Sequence, residues 1–525
     1  VKKIFLLSAA AVVSIAASAH AGELQDIKAQ SEQLREQNEL LTKKLGDLEK
    51  RQRRLEARPV ASAGAPADAM GAYTKAPIKK AAADDSLTWH GVTLYGAVDM
   101  GLTYQTHGAP LSALAGAGLN YLIAKNSNKS YFGVGPNALS ASFVGLKGEQ
   151  ELVSGWNGIF NLQSGFNPQS GRFSDGVGSI VQNNFLPQSQ QNSFADSARD
   201  GQVFNIAAYA GVSSPIYGTF TYGRQNSLTS DGVAAYDPQN NSSAFSVIGF
   251  QGATGGAGAT ENRILDNSLK YTVKVGAFRA SAATQLSAGD NTAVQGLYQG
   301  GLGFDIAGFS FDGIYSHTND AVTSAPIATL AALGTTSPNL NDGKLVAGTV
   351  SDNNAFMLLA KYTVGQFRFS GGYENIRFSN PSNALAPGAF VVGDYALGTA
   401  NNTAFASDRI LQVFWGGVRY AVRPDLDLAL GYYHQIQNSF HGGTAATANA
   451  GLCADASLAQ CKGTLDAISF TADWRFSKHV DMYAGAMWSQ VNGGLANGDI
   501  GPATSVTGKL IRNTVDPTVG LRYRF

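Results

Sequence analysis

The last eight residues, 518–525, read TVGLRYRF, with Val519, Leu521, Tyr523 and Phe525 on one parity and Thr518, Gly520, Arg522 and Arg524 on the other. Successive side chains of a strand leave opposite faces, so this segment presents one aromatic, apolar face and one face with two arginines. A strand between lipid and a watery lumen requires that division. A soluble sheet gives the same alternation, but a chain stopping on the aromatic itself favours a barrel whose last strand closes against its first.

The opposite end agrees. Lys2 and Lys3 precede an apolar run over 4–17 and the small triplet Ala19-His20-Ala21, the charge, length and cleavage pattern of a secretory signal over 1–21. The run is too short for a transmembrane helix, and no later apolar stretch is long enough, so a membrane form of this chain crosses with strands. Only 14% of residues are charged, while Gly 61, Tyr 20 and Phe 27 are abundant. A lipid-facing barrel surface excludes charge and its interfaces collect aromatics. Formal net charge is zero, which gives no footprint for nucleic acid.

Between these ends the chain divides into parts. Over 22–58, Ile27, Leu34, Leu41, Leu48 and Leu55 fall seven apart, with mostly polar residues including Asn38 three positions before each; this reads as a short coiled coil, or as a lone charged helix. Residues 59–88 turn to Ala, Pro, Gly and Lys without apolar period and read as a linker. Over 89–525 the reading is all-β. The run GVTLYGAVDMGLTY sets Val92, Leu94, Val98, Met100, Leu102 and Tyr104 against Thr93, Tyr95, Ala97, Asp99 and Thr103. Alternating runs of this kind recur to a total of about sixteen, an even number as a bacterial single-chain barrel requires.

The connections alternate in length. Short turns fall at Val153-Ser154-Gly155, Ser214-Pro215-Ile216, Ala307-Gly308, Val364-Gly365, Arg423-Pro424-Asp425 and Ser477-Lys478-His479, with long segments such as 166–201, 318–351 and 379–407 between them. Short turns on one rim and long loops on the other are the hairpin plan of an outer-membrane barrel. One long loop carries Cys453 and Cys461. In an oxidising compartment such a pair most simply forms a disulfide, two free thiols or a metal pair being the alternatives; the spacing matches no usual zinc pattern.

The runs ASFVGLKGEQEL (141–152), GWNGIFNLQSGFN (155–167), AAYAGVSSPIYGTFTYGRQ (207–225) and LDNSLKY (265–271), with LYGAVD (94–99) and the final phenylalanine, resemble the successive strands of the general Gram-negative porins. The resemblance covers most of 90–525. It implies a homotrimer of sixteen-stranded transmembrane barrels in the outer membrane, in contact with lipid and lipopolysaccharide. Each barrel is then a separate water-filled pore narrowed by an inward third loop. By position that loop is 226–262, and its Asp231, Asp237 and Glu261 are candidate constriction acids facing basic groups on the wall, or else turn-capping residues, Asp237-Pro238 above all.

The chain departs from that family where wall arginines are usual. The aligned positions hold Phe143, Ile206 and Ile264, with Arg263 as a substitute only if a bulge shifts the strand. Parity leaves Lys147, Lys270, Arg279, Arg368, Arg475, Arg522 and Arg524 as pore-wall bases. Arg224 shares its parity with outward Phe220 and Tyr222, which makes it a candidate for an ion pair at a trimer interface. No nucleophile elbow, phosphate-binding glycine turn or metal-spaced histidine cluster appears, so neither catalysis nor a cofactor is expected. The expected function is passive diffusion of small hydrophilic solutes and ions. The alternatives are an envelope tether, in which the periplasmic coiled coil holds peptidoglycan, and a substrate-selective channel.

Overall fold

The computed structural model describes residues 87–107, 130–168, 171, 203–248, 264–286, 296–327, 345–384, 390–392, 395–397, 400–402, 405, 407–440, 462–493, 495 and 511–525. The expected signal and coiled coil, nearly all of the linker, and Glu261, Arg263, Cys453 and Cys461 lie outside them.

Alternation becomes strands wherever it persists. In chain order these are β1 (Val92–Gln105), β2 in two pieces (Tyr131–Pro136 and Ser142–Val153), β3 (Trp156–Phe166), β4 (Ala207–Ser214) and β5 (Gly218–Asn226). After the short helix α1 (Leu228–Tyr236) come β6 (Ile264–Val275), β7 (Phe278–Gln285), β8 (Leu297–Ile306), β9 (Phe309–Ile327) and β10 (Leu345–Val364). The rest are β11 (Phe367–Ser379), β12 (Arg409–Arg423), β13 (Leu426–Gln437), β14 (Gly463–Arg475), β15 (Val480–Gly493) and β16 (Asn513–Arg524). Each pairs antiparallel with the next, giving the sixteen-stranded transmembrane barrel.

Closure is made by β1 and β16, in register from Ala97 opposite Arg524 to Thr103 opposite Thr518. Gly96 and Phe525 then exchange two backbone bonds of 3.0 Å. With no open edge, every strand backbone in the wall has partners on both sides, which hydrocarbon demands.

Period two divides the wall. Leu94, Met100, Leu102, Val144, Leu146, Leu302, Phe369, Leu430, Phe470 and Leu521 are exposed on the outer surface, where lipid takes the place of water. Ring pairs gather near the short turns, with Phe367 stacked on Tyr420 at 4.6 Å and Trp156 on Tyr217 at 5.5 Å between centroids. All six expected short turns connect successive strands on that rim.

Two features depart from plain alternation. β2 is interrupted at 137–141, where Asn137 takes φ +59° and its side chain accepts a bond from the Ser142 N–H at 2.8 Å. The interior of the wall is apolar over a broad sector: inward Ile314, Met357, Leu359, Ile376, Leu411, Val413 and Trp415 form one buried cluster with Leu228, Val233, Tyr236, Val247 and Ile248 of the third loop. This core therefore lies inside the barrel, between wall and loop.

Candidate functional site

The third loop begins as a helix because Ser227 caps it. Its hydroxyl accepts the Ser230 N–H at 3.1 Å, and Asp231 stands in the first turn, where a carboxylate opposes the positive end of the helix dipole. Gly232 faces the wall. A β-carbon there would lie 2.8 Å from Leu359 Cδ1 and 2.9 Å from Ile314 Cδ1, so only glycine lets the helix lie this close.

Polar bonds then pin the loop around the inner wall, strand by strand. Lys270 on β6 pairs with Asp231. Gln299 on β8 accepts the Leu228 N–H at 2.6 Å, and the Tyr236 hydroxyl donates to Asp312 on β9 at 2.5 Å. Lys361 on β10 donates to the Ala235 carbonyl at 3.3 Å, Arg368 on β11 to Asn240, and the Trp415 indole of β12 to the Tyr236 carbonyl at 3.3 Å. Tyr433 on β13 donates to Asp237 at 2.6 Å, and Gln239 donates to the Ser469 hydroxyl of β14 at 3.0 Å. The far end reaches the kink of β2, where the Ala138 carbonyl accepts from the Ser242 hydroxyl at 2.8 Å and the Ala244 N–H at 2.9 Å. Phe245 meets Tyr483 of β15 edge to face at 6.3 Å.

The two described candidate acids separate. Asp231 is part-exposed and salt-bridged to Lys270. Asp237 is buried, and besides Tyr433 it accepts the N–H groups of Gln239 at 3.2 Å and Asn241 at 2.7 Å; its carboxylate serves the turn. Burial pushes the Asp237 carboxyl above the usual carboxylate range, against the pull of those bonds.

On the wall, Arg279 lies between Asp305 and Asp312, 2.9 Å from the latter. Nearer the short-turn rim, Asp481 takes both Arg522 and Arg524 at 2.7 Å, and Asp427 takes Arg475 at 2.8 Å and Arg419 at 3.3 Å. Lys147 has a different setting. Its ammonium sits 4.7 Å from the centroid of the Tyr95 ring, whose hydroxyl donates to Asn161 at 2.5 Å. Gly145 makes room for that ring, since a β-carbon there would lie 2.7 Å from it. Phe143, Ile206 and Ile264 are buried; the first two cluster with Ala97, Ala141 and Ala207, so this sector is apolar where the resemblance implies arginines.

Arg224 is buried, unlike Phe220 and Tyr222, whose parity it shares. The β5–β6 register shifts between Gly223 and Gln225, where β6 carries an extra residue, and beside this bulge Arg224 occupies a buried site, pairing with Asp266 at 2.7 Å and donating to the Asn205 carbonyl at 2.7 Å. A bulge on the facing strand leaves no mark on the parity of β5, so the alternation did not foretell this burial. Sequence reasoning also missed Lys361, Arg419, Gln299, Tyr236 and Tyr433. Lys361 shares parity with Met357 and Leu359, which resemble a lipid-facing row until the loop covering them is known.

Among the described residues no group of three or more His, Cys, Asp or Glu is placed to hold a metal ion, and no helix is long and apolar enough to cross a membrane. The arrangement as a whole is a closed barrel partly filled by an anchored loop.

A family profile described as Gram-negative porin matches residues 61–494. An outer membrane porin protein of Bordetella pertussis is 26% identical over 203 residues, 38% of this chain and 44% of that protein; the chain thus matches less than half the length of this curated relative. Among solved structures, the anion-selective porin from Comamonas acidovorans gives a TM-score of 0.51 at 15% identity, covering 83% of this chain and 99% of that one. OmpT, an in-vitro folded outer membrane protein of Vibrio cholerae, gives 0.50 at 12%, covering 84% and 100%. At such identities the two structures speak for the barrel fold.

Proposed function

Because this chain belongs to the Gram-negative porin family and is a protein of the outer membrane, we propose that it is a passive channel through which small hydrophilic solutes and ions cross that membrane down their gradients. The observation that carries this reading is the third loop, bonded inside the closed barrel to strand after strand from β6 to β14. A rigid loop inside a polar tunnel sets a size limit without a moving part, and the fixed lumen charges bias which ions pass. Planar-bilayer recording tests it: the purified protein should insert in steps of uniform ohmic conductance, and bilayers that stay silent at every protein concentration would refute it.

The active form in this proposal is a homotrimer exported by the signal at 1–21, with the heptads of 22–58 on the periplasmic side and lipopolysaccharide around the outer rim. Cys453 and Cys461 close a disulfide in an outer loop, and Asp231 and Glu261 supply acid to the constriction. Those heptads also favour a second reading, a tether from barrel to peptidoglycan. Deleting 22–58 separates the two: a channel keeps its unit conductance, and a tether no longer co-sediments with cell wall.

A further inference from the structure

Most lumen carboxylates are already engaged. Asp231 is held by Lys270, Asp305 and Asp312 by Arg279, Asp427 by Arg419 and Arg475, Asp481 by Arg522 and Arg524, and Asp266 by Arg224. Asp99 and Asp237 are buried under tyrosine hydroxyls. Two inward lysines are seated on tyrosine rings. Lys147 lies over the Tyr95 ring at 4.7 Å, and Lys361 lies over the Tyr236 ring at 4.9 Å; among the described residues neither has a carboxylate within ion-pairing distance.

A tyrosine face holds an ammonium by its quadrupole and leaves the other side of the cation open. In both seats the ring is itself fixed, Tyr95 by Asn161 and Tyr236 by Asp312, so the charge is positioned rather than swinging on a free stem. The positions complement each other. Lys361 stands beside the end of α1 on the sector that the loop covers, and Lys147 stands on the β2 wall with the apolar Phe143 and Ile206 cluster nearby. A net positive charge in a low-dielectric channel raises the local concentration of anions and repels cations.

We propose that Lys147 and Lys361, each seated on a tyrosine ring and facing the lumen, make this pore prefer small anions such as chloride, inorganic phosphate and short carboxylates. The inference rests on the channel reading above. The competing charges include the buried carboxylates Glu374, Asp473 and Asp516 of the wall, and Glu149 and Glu151, which share the parity of Lys147 but lie nearer the short-turn rim, where Glu149 accepts a bond from Asn157 at 2.6 Å.

The test is the zero-current potential of the full-length protein in planar bilayers under a KCl gradient. Wild type should reverse on the chloride side. Lys147→Gln should cut the chloride-to-potassium permeability ratio by about threefold at 0.1 M salt, and by less near 1 M, where the screening length falls to roughly 3 Å. Adding Lys361→Gln should remove the preference, whereas Glu149→Gln should shift the ratio less than Lys147→Gln does. Inorganic phosphate should reduce chloride current through wild type more than through Lys147→Gln. Because Lys361 also holds the loop, Lys147→Gln decides alone if the double variant changes unit conductance. A wild-type channel that conducts but shows no preference or favours potassium overturns the inference, as does an unchanged ratio in Lys147→Gln. A wild type with no conductance instead refutes the channel reading itself.

Discussion

Gly232 fixes how far the third loop stands from the wall, because any side chain there meets Leu359, Ile314 and Met357. Overpacking of this kind costs about 1–3 kcal/mol, and the loop can relieve it only by moving into the channel or leaving the wall. Gly232→Val should therefore change unit conductance and raise open-channel noise while the strand content measured by circular dichroism stays constant. Asp237 makes a prediction about pH. Its carboxyl is held above the usual range by burial, so the folded state keeps a proton that the unfolded state releases. The sign follows: stability is highest below the unfolded value of about 3.9 and falls as pH rises toward the folded one. In detergent and urea, Asp237→Asn should flatten that decline, and a slope equal to wild type would show that Asp237 does not set it. Phe143 and Ile206 could be read from the chain as departures from an arginine wall, whereas the burial of Arg224 could not, since the bulge beside it is made by an extra residue of β6 between Leu265 and Ser268 and leaves the alternation of β5 itself unmarked.

At the scale of elements, the strands were legible and the loop was not. Period two survives in β1, β14 and β16 because lipid on one side and water on the other leave no alternative arrangement, and turns such as Arg423-Pro424-Asp425 mark strand ends by their chemistry. The third loop carries its apolar residues without period: Leu228, Val233, Tyr236, Val247 and Ile248 meet an inner wall whose own apolar residues, Met357 and Val413 among them, break the rule that the lumen face is polar. Neither half of that interface has meaning until the other is in place. The consequence concerns deletion. Removing 228–248 would expose Ile314, Met357, Leu359, Val413 and Trp415 to water, at about 25 cal/mol for each Å² uncovered. The expected result is poor refolding and early heat denaturation on gels; a stable, wider pore would contradict it.

At the scale of the whole molecule, Asp99 links regions far apart in the chain. From β1 it accepts the Tyr483 hydroxyl of β15 at 2.5 Å and the N–H groups of Leu139 and Ser140, in the kink of β2, at 2.9 and 2.7 Å. Asp99→Ala leaves these buried donors without their acceptor, at about 1–3 kcal/mol each. The kink that holds the loop tip should loosen with them. Such a variant should lose its folded gel mobility at a lower temperature than wild type and conduct with larger fluctuations, and equal melting would argue against the linkage. The sixteen-strand count was readable because hairpin lengths alternate from end to end, whereas this long-range clamp was hidden among residues nearly four hundred positions apart.

The kink at 137–141 bears on the order of assembly. The tip of the loop rests on Ala138 from an early strand and on Tyr483 from the next-to-last, so its seat exists only once both ends of the sheet have met. A half-built barrel consequently has no calibrated aperture, and the width of the hole is fixed in the same event that makes the wall watertight.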